Sequence, residues 1–278
     1  MRYLLSISCL IFAIQVKSEV ISKDLIIDLN ANKGLELLSD KVMKWQNQVT
    51  DSKITEFVVQ NKGRKVLNSG APSLKKGVSA INGNNSILFQ RQELINHDED
   101  SLDHLITGSG YTWISVLCVH QQKVQLKDVN SFFGNLKNGG KYEGIWGNVT
   151  DNNTVWIGSR NALTMGRWDK NNPKVLAKSP LKKNRFYIIA GRMGSGQGTV
   201  QIDLFINEAS KITSKGFPVN PSANSSKLAI GQERDAIEHP GKESFDGEIA
   251  RFLLYDRPLL DDELKTTMLK LKSKYGIQ

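Results

Sequence analysis

The stretch 200–207, VQIDLFIN, places Val200, Ile202, Leu204 and Ile206 on one side of an extended chain and Gln201, Asp203 and Phe205 on the other. Such period-two alternation belongs to a strand, and its apolar face must be buried against a second layer. Short runs rich in Val, Ile, Phe, Tyr and Trp recur at 24–31, 86–90, 111–120, 129–136, 153–159, 185–193, 227–233 and 248–256, with Gly, Asn or Asp between them. This spacing predicts sheet packed on sheet, an all-β protein.

Helix signals are few. LDHLI at 102–106 reads as a single turn, and only the last segment reads as a full helix. Asp261, Asp262 and Glu263 place negative charge at its start, and Lys270, Lys272 and Lys274 place positive charge near its end. Leu264, Met268, Leu271 and Tyr275 recur on one face, and Gly276 supplies the stop.

Residues 1–18 are expected to be a signal peptide. Arg2 precedes an apolar run from Tyr3 to Ile14, and Val16 and Ser18 fit a cleavage site before Glu19. That run is too short to span a bilayer as a mature helix. The expected product is a secreted or extracytoplasmic chain without stable membrane insertion. No repeat or long linker breaks the remainder, so 19–278 is read as one domain.

Cleavage would remove Cys9 and leave Cys118 as the single cysteine, so no internal disulfide is expected. Cys118 sits in the strand-like run YTWISVLCVH and reads as a small buried hydrophobe. The four histidines, at 97, 104, 120 and 239, show no metal-ligand spacing, which argues against a structural zinc site. The formal charge of +9 falls to +7 once Arg2 and Lys17 leave. The lysines are dispersed, which fits a solvated basic surface or attraction to acidic polysaccharides. Export and the lack of an aromatic-interleaved basic motif disfavour nucleic acid as a partner. GRMGSGQG at 191–198 has the glycines of a phosphate loop but leads into a strand, so it is read as a hairpin connection.

The end of the chain is more specific. Gly247-Glu248-Ile249-Ala250, Tyr255-Asp256-Arg257, Leu259 and Lys274-Tyr275-Gly276-Ile277 resemble the C-terminal signature of laminin-G-like, concanavalin A-like domains of exported bacterial proteins. Three upstream segments resemble the same family in order: DLIIDLNA with Val42, Trp45 and Asn47; Pro72, Leu74, Ile81-Asn82-Gly83, Leu88 and Phe89; and LAIGQE. The resemblance implies a concanavalin A-like jelly-roll β-sandwich with a short C-terminal α-helix. It further implies a lectin-like module for carbohydrate or another cell-surface or extracellular ligand. The alternatives are a structural or adhesive module that contacts proteins and a glycoside hydrolase with an atypical site.

Hydrolases of this fold resemble E-x-D-x-x-E on their catalytic strand. Here Asp203 stands at the middle position, but Gln201 and Ile206 flank it, and neither can act as nucleophile or proton donor. An enzyme is therefore not expected. Candidate ligand contacts lie in the polar segment 140–170, where Tyr142, Trp146 and Trp168 offer rings for sugar stacking and Arg167 a guanidinium for hydroxyl groups. Trp45 and Trp156 are read as core. No cofactor is required, while the family resemblance allows a structural calcium ion, with loop residues Asp128, Asp151 and Asp169 as oxygen donors.

Overall fold

The computed structural model describes residues 20–122, 129–137, 142–164, 169–233 and 243–278. Its strands are β1 (Leu25–Asn30), β2 (Leu35–Leu38), β3 (Lys41–Gln46), β4 (Glu56–Val59), β5 (Ser73–Val78), β6 (Asn84–Gln90), β7 (Leu94–Ile95), β8 (Tyr111–Val119) and β9 (Asn130–Gly134). They continue with β10 (Gly144–Val149), β11 (Val155–Arg160), β12 (Val175–Leu176), β13 (Phe186–Met193), β14 (Thr199–Ile206), β15 (Lys211–Pro218), β16 (Ala229–Ile230) and β17 (Asp246–Tyr255). The chain ends in one helix, α1 (Asp261–Tyr275).

All pairings between these strands are antiparallel, and they resolve into two facing ladders. One runs β15–β14–β13–β8–β17, with β1 and β6 sharing the far edge of β17 and β5 beyond β6. The other runs β12–β11–β10–β9–β16–β7–β4–β3–β2. A single bridge, Lys41 to Ser73, joins β3 to β5 and links the two ladders at one margin. At the opposite margin β12 approaches β14 and β15 without pairing with them. The result is a flattened, nearly closed barrel with one open seam.

The alternation read in 200–207 holds. Val200, Ile202 and Leu204 point into the interior with Trp113, Phe133, Ile157 and Phe252, while Phe205 takes the outer face. That outer face is covered by α1 through Leu264, Met268, Leu271 and Tyr275. The terminal signature explains this helix. Arg257 donates from Nη1 and Nη2 to the two Glu263 oxygens at 2.7 and 2.9 Å and from Nε to Asp24 at 2.6 Å. Glu263 in turn accepts the Leu260 N–H at 2.9 Å, satisfying one of the helix's orphan donors. The helix ends where expected, at Gly276 in the left-handed region.

Asn47 is equally informative. It accepts the backbone N–H of Asp28 and donates to the carbonyls of Ile26 and Ile54, so one amide ties β1 to the chain that follows β3. Of residues 191–198, the first three end β13 and 194–198 form the expected hairpin connection to β14. Several strands carry no clear alternation signal, among them β3, β4, β10 and β15. Segment 144–149, grouped above with the polar loops, is strand β10.

Candidate functional site

Alternation along β10 and β11 sends Ile145, Val149, Val155 and Ile157 inward. Trp146 and Trp156 stand on the opposite, outward face and cluster with Val129. Their rings meet edge to face, with centroids 5.6 Å apart at 69°. Gly158 makes room for this pair, since a Cβ there would come within 2.7 Å of the Trp146 ring. Trp146 is only 1% exposed, and among the described residues its Nε1–H has no hydrogen-bond partner. Polar groups line the same face. Ser131 donates to Asn148, and Asn135 accepts the Ile145 N–H at 2.7 Å.

Tyr142 is half-buried, with the Arg160 guanidinium 5.1 Å from its ring centroid. Lys174 places its ammonium 4.9 Å from the Trp156 centroid. Tyr142 and Trp146 thus flank one outward face, but Trp146 packs under neighbours instead of presenting a flat platform. Trp168 and Arg167 lie outside the described residues, as does Asp128.

Beside Trp156 the open seam forms a cleft of about 820 Å³, lined in part by Asp169, Lys170, Pro173, Lys174, Thr199 and Lys215. Lys170 and Lys174 come from the chain leading into β12, Thr199 from β14 and Lys215 from β15. The cleft exists because the two ladders do not pair here. Asp169 is engaged locally. It accepts the Thr164 hydroxyl at 2.7 Å and the N–H groups of Asn171 and Asn172, and these bonds hold its carboxyl below the usual range. Among the described residues neither Lys170 nor Lys215 has an ion-pair partner, so the cleft is cationic. Sequence reading singled out none of these lysines, because three dispersed lysines carry no motif. Asp151, another calcium candidate, sits exposed in the turn after β10.

Two other groups lie on the helix side. Asp203 accepts from Ser214 at 2.7 Å and pairs with Lys211 at 2.9 Å and Arg192 at 3.2 Å. Burial alone would push its carboxyl up, but these bonds lower it, which suits a structural ion network. Further along the same sheet face, Glu248 accepts from Lys75 at 2.7 Å and Ser86 at 2.6 Å, with His120 Nε2 at 3.1 Å. Burial opposes ionisation there too, yet bonds from His120, Lys75 and Ser86 bring Glu248 down to about 2.

Comparison with known proteins places this geometry in context. The family model described as the concanavalin A-like lectin/glucanases superfamily matches residues 109–265. Among solved structures, Trypanosoma rangeli sialidase in complex with 2,3-difluoro-KDN is similar at a TM-score of 0.56 and 11% identity, over 91% of this chain and 33% of that one. The same enzyme in complex with sialic acid is similar at 0.55 and 12% identity, over 91% and 34%. The chain therefore spans about a third of the sialidases it matches, and at this identity the likeness is one of fold. No curated protein matches the chain in sequence. These neighbours correct the expectation that the chain is not an enzyme. Solved structures that share its fold include sialidases, which are glycoside hydrolases, so an enzymatic role stays open.

Proposed function

Because the chain belongs to the concanavalin A-like lectin/glucanases superfamily, we propose that it binds glycans, at the open seam beside Trp156, as an exported jelly-roll module. The observation that carries this reading is the cleft beside Lys170 and Lys215, where the lining carboxylate, Asp169, is already hydrogen-bonded within its own loop. The Lys170 and Lys215 ammonium groups around an open groove favour a saccharide bearing carboxylate or sulfate over a neutral one. Amide and hydroxyl groups of Asn171 and Thr199 line the same groove and suit sugar hydroxyls. Sialic acid, the ligand in one matched Trypanosoma rangeli structure, is an acidic sugar of the kind such a groove would accept.

The test is a glycan array probed with the full chain, followed by titration calorimetry on the best acidic and neutral binders. Acidic oligosaccharides are expected to bind, and a Lys170→Ala/Lys215→Ala double variant is expected to weaken them about 3- to 10-fold, as two exposed charge contacts would. Absence of binding to every glycan would end this reading. Unchanged binding in the double variant would move the site away from the seam.

A further inference from the structure

We propose that Cys118, His120 and Glu248 form a binding site for a zinc-class divalent cation on the outer face of the β8–β17 ladder. This goes beyond glycan binding and lies on the helix side, whereas the cleft lies at the seam. Cys118 and Glu248 are direct cross-strand partners in the antiparallel register, so their side chains leave the same face side by side. His120 follows Cys118 by two residues, and its N–H still bonds the Asp246 carbonyl at 3.0 Å, so alternation puts its ring on that face too. The sulfur, an imidazole nitrogen and a carboxylate oxygen all lie within 4.8 Å of one another. Among the described residues it is the one cluster of three or more such ligands.

The donor set points to the metal. A thiolate, an imidazole and a carboxylate suit zinc and its congeners, whereas calcium takes oxygen ligands alone. A tetrahedral zinc shell with bonds of about 2.0–2.3 Å holds its donors roughly 3.5 Å apart; His120 Nε2 and Glu248 Oε1 already stand 3.1 Å apart, and the Cys118 sulfur lies within 4.8 Å of both, so only small side-chain adjustments are needed. Cys118 is buried, and among the described residues its sulfur makes only a weak contact to the Val119 carbonyl at 3.8 Å. Glu248 is oriented from behind, because its Oε2 accepts the Ser86 hydroxyl at 2.6 Å and leaves Oε1 towards His120. His120 is partly exposed and gives the ion an entry path and an open fourth position. The Lys75 ammonium now occupies the cation's side of Oε1 at 2.7 Å, and with nearly half of its side chain exposed it can swing into solvent. Binding would release the Cys118 thiol proton and displace Lys75.

The full chain, stripped with chelator, is titrated with Zn²⁺ by calorimetry and separately with Co²⁺ under absorption. Zinc is expected to bind with one site, and cobalt to give a thiolate-to-metal charge-transfer band with intense visible d–d bands of a tetrahedral site. Cys118→Ser should abolish the charge-transfer band. His120→Gln, at a partly exposed position, should lower Zn²⁺ affinity at least 10-fold, the scale of losing a metal contact. Lys75→Met should raise affinity by removing the competing cation. Absence of zinc binding in the wild type would overturn the proposal, as would cobalt binding without the sulfur band or affinity unaltered by both Cys118→Ser and His120→Gln.

Discussion

Arg251 and Asp28 face each other as a bidentate pair: Nε donates to Oδ1 at 2.8 Å and Nη2 to Oδ2 at 2.7 Å. The pair joins β17 to β1, and both side chains are largely buried. Removing one partner would leave the other charge uncompensated in a low-dielectric site. Arg251→Met is therefore expected to cost about 3–5 kcal/mol, whereas Arg251→Met combined with Asp28→Leu should recover much of that loss. Urea denaturation of the wild type, both single variants and the double variant measures the coupling.

A pH dependence follows from the turn before the helix. Hydrogen bonds from Arg257, then the Leu260 N–H, hold Glu263 down from 4.5 to about 2. A carboxyl depressed in the folded state adds stability that is fully present above its unfolded value and is lost as pH falls. The urea midpoint of the wild type should exceed that of Glu263→Gln by a constant margin above 4.5, and the margin should close between 4.5 and 2. A margin independent of pH would rule out this ion pair as its source.

Gly191 lies opposite Trp113 in the β13–β8 register, and a Cβ there would come within 2.5 Å of the indole. Trp113 cannot retreat, because it packs edge to face on Phe132 at 5.7 Å and Phe133 at 5.0 Å. Gly191→Ala should destabilise the chain by about 1–3 kcal/mol through overpacking. Gly194→Ala, whose nearest neighbour would be 3.6 Å away, should change stability by less than about 1 kcal/mol. Thermal melts of the two variants provide the comparison.

The cleft makes an electrostatic prediction. Lys215→Glu should weaken binding of an acidic oligosaccharide about 10-fold in low salt, and the difference should shrink near 1 M salt, where screening acts over about 3 Å. Neutral oligosaccharides should respond little to either change. Calorimetry at two salt concentrations distinguishes this from general loss of fold.

Export has its own readout. If residues 1–18 are a signal peptide, the mature chain recovered outside the producing cytoplasm begins at Glu19. Mass spectrometry of the N-terminal peptide reports this directly, and a retained Met1 would refute it.

The strands that were legible in the sequence are those buried on one face, such as β14, and those filled with large apolar residues, such as β8 and β17. In these the burial that drives pairing is written into the residue order. Strands such as β3 and β5 carry Lys41, Lys44, Lys75 and Lys76 on partly solvated surfaces, so packing constrains their composition less and the alternation fades. The tryptophans of segment 140–170 were visible, but their placement was not: whether Trp146 offers a platform or packs against Trp156 depends on what covers β10.

By itself, then, the sequence determined an all-β architecture, the terminal helix with both its ends, and the turn that Arg257 fastens. These follow from local periodicity and capping, which act over a few residues. Only the tertiary structure decided that Lys170 and Lys215 share one cleft and that Cys118 stands beside Glu248. Such neighbours are set by cross-strand register and by where two ladders fail to close, and those depend on pairing between segments far apart in the chain, which no local pattern encodes.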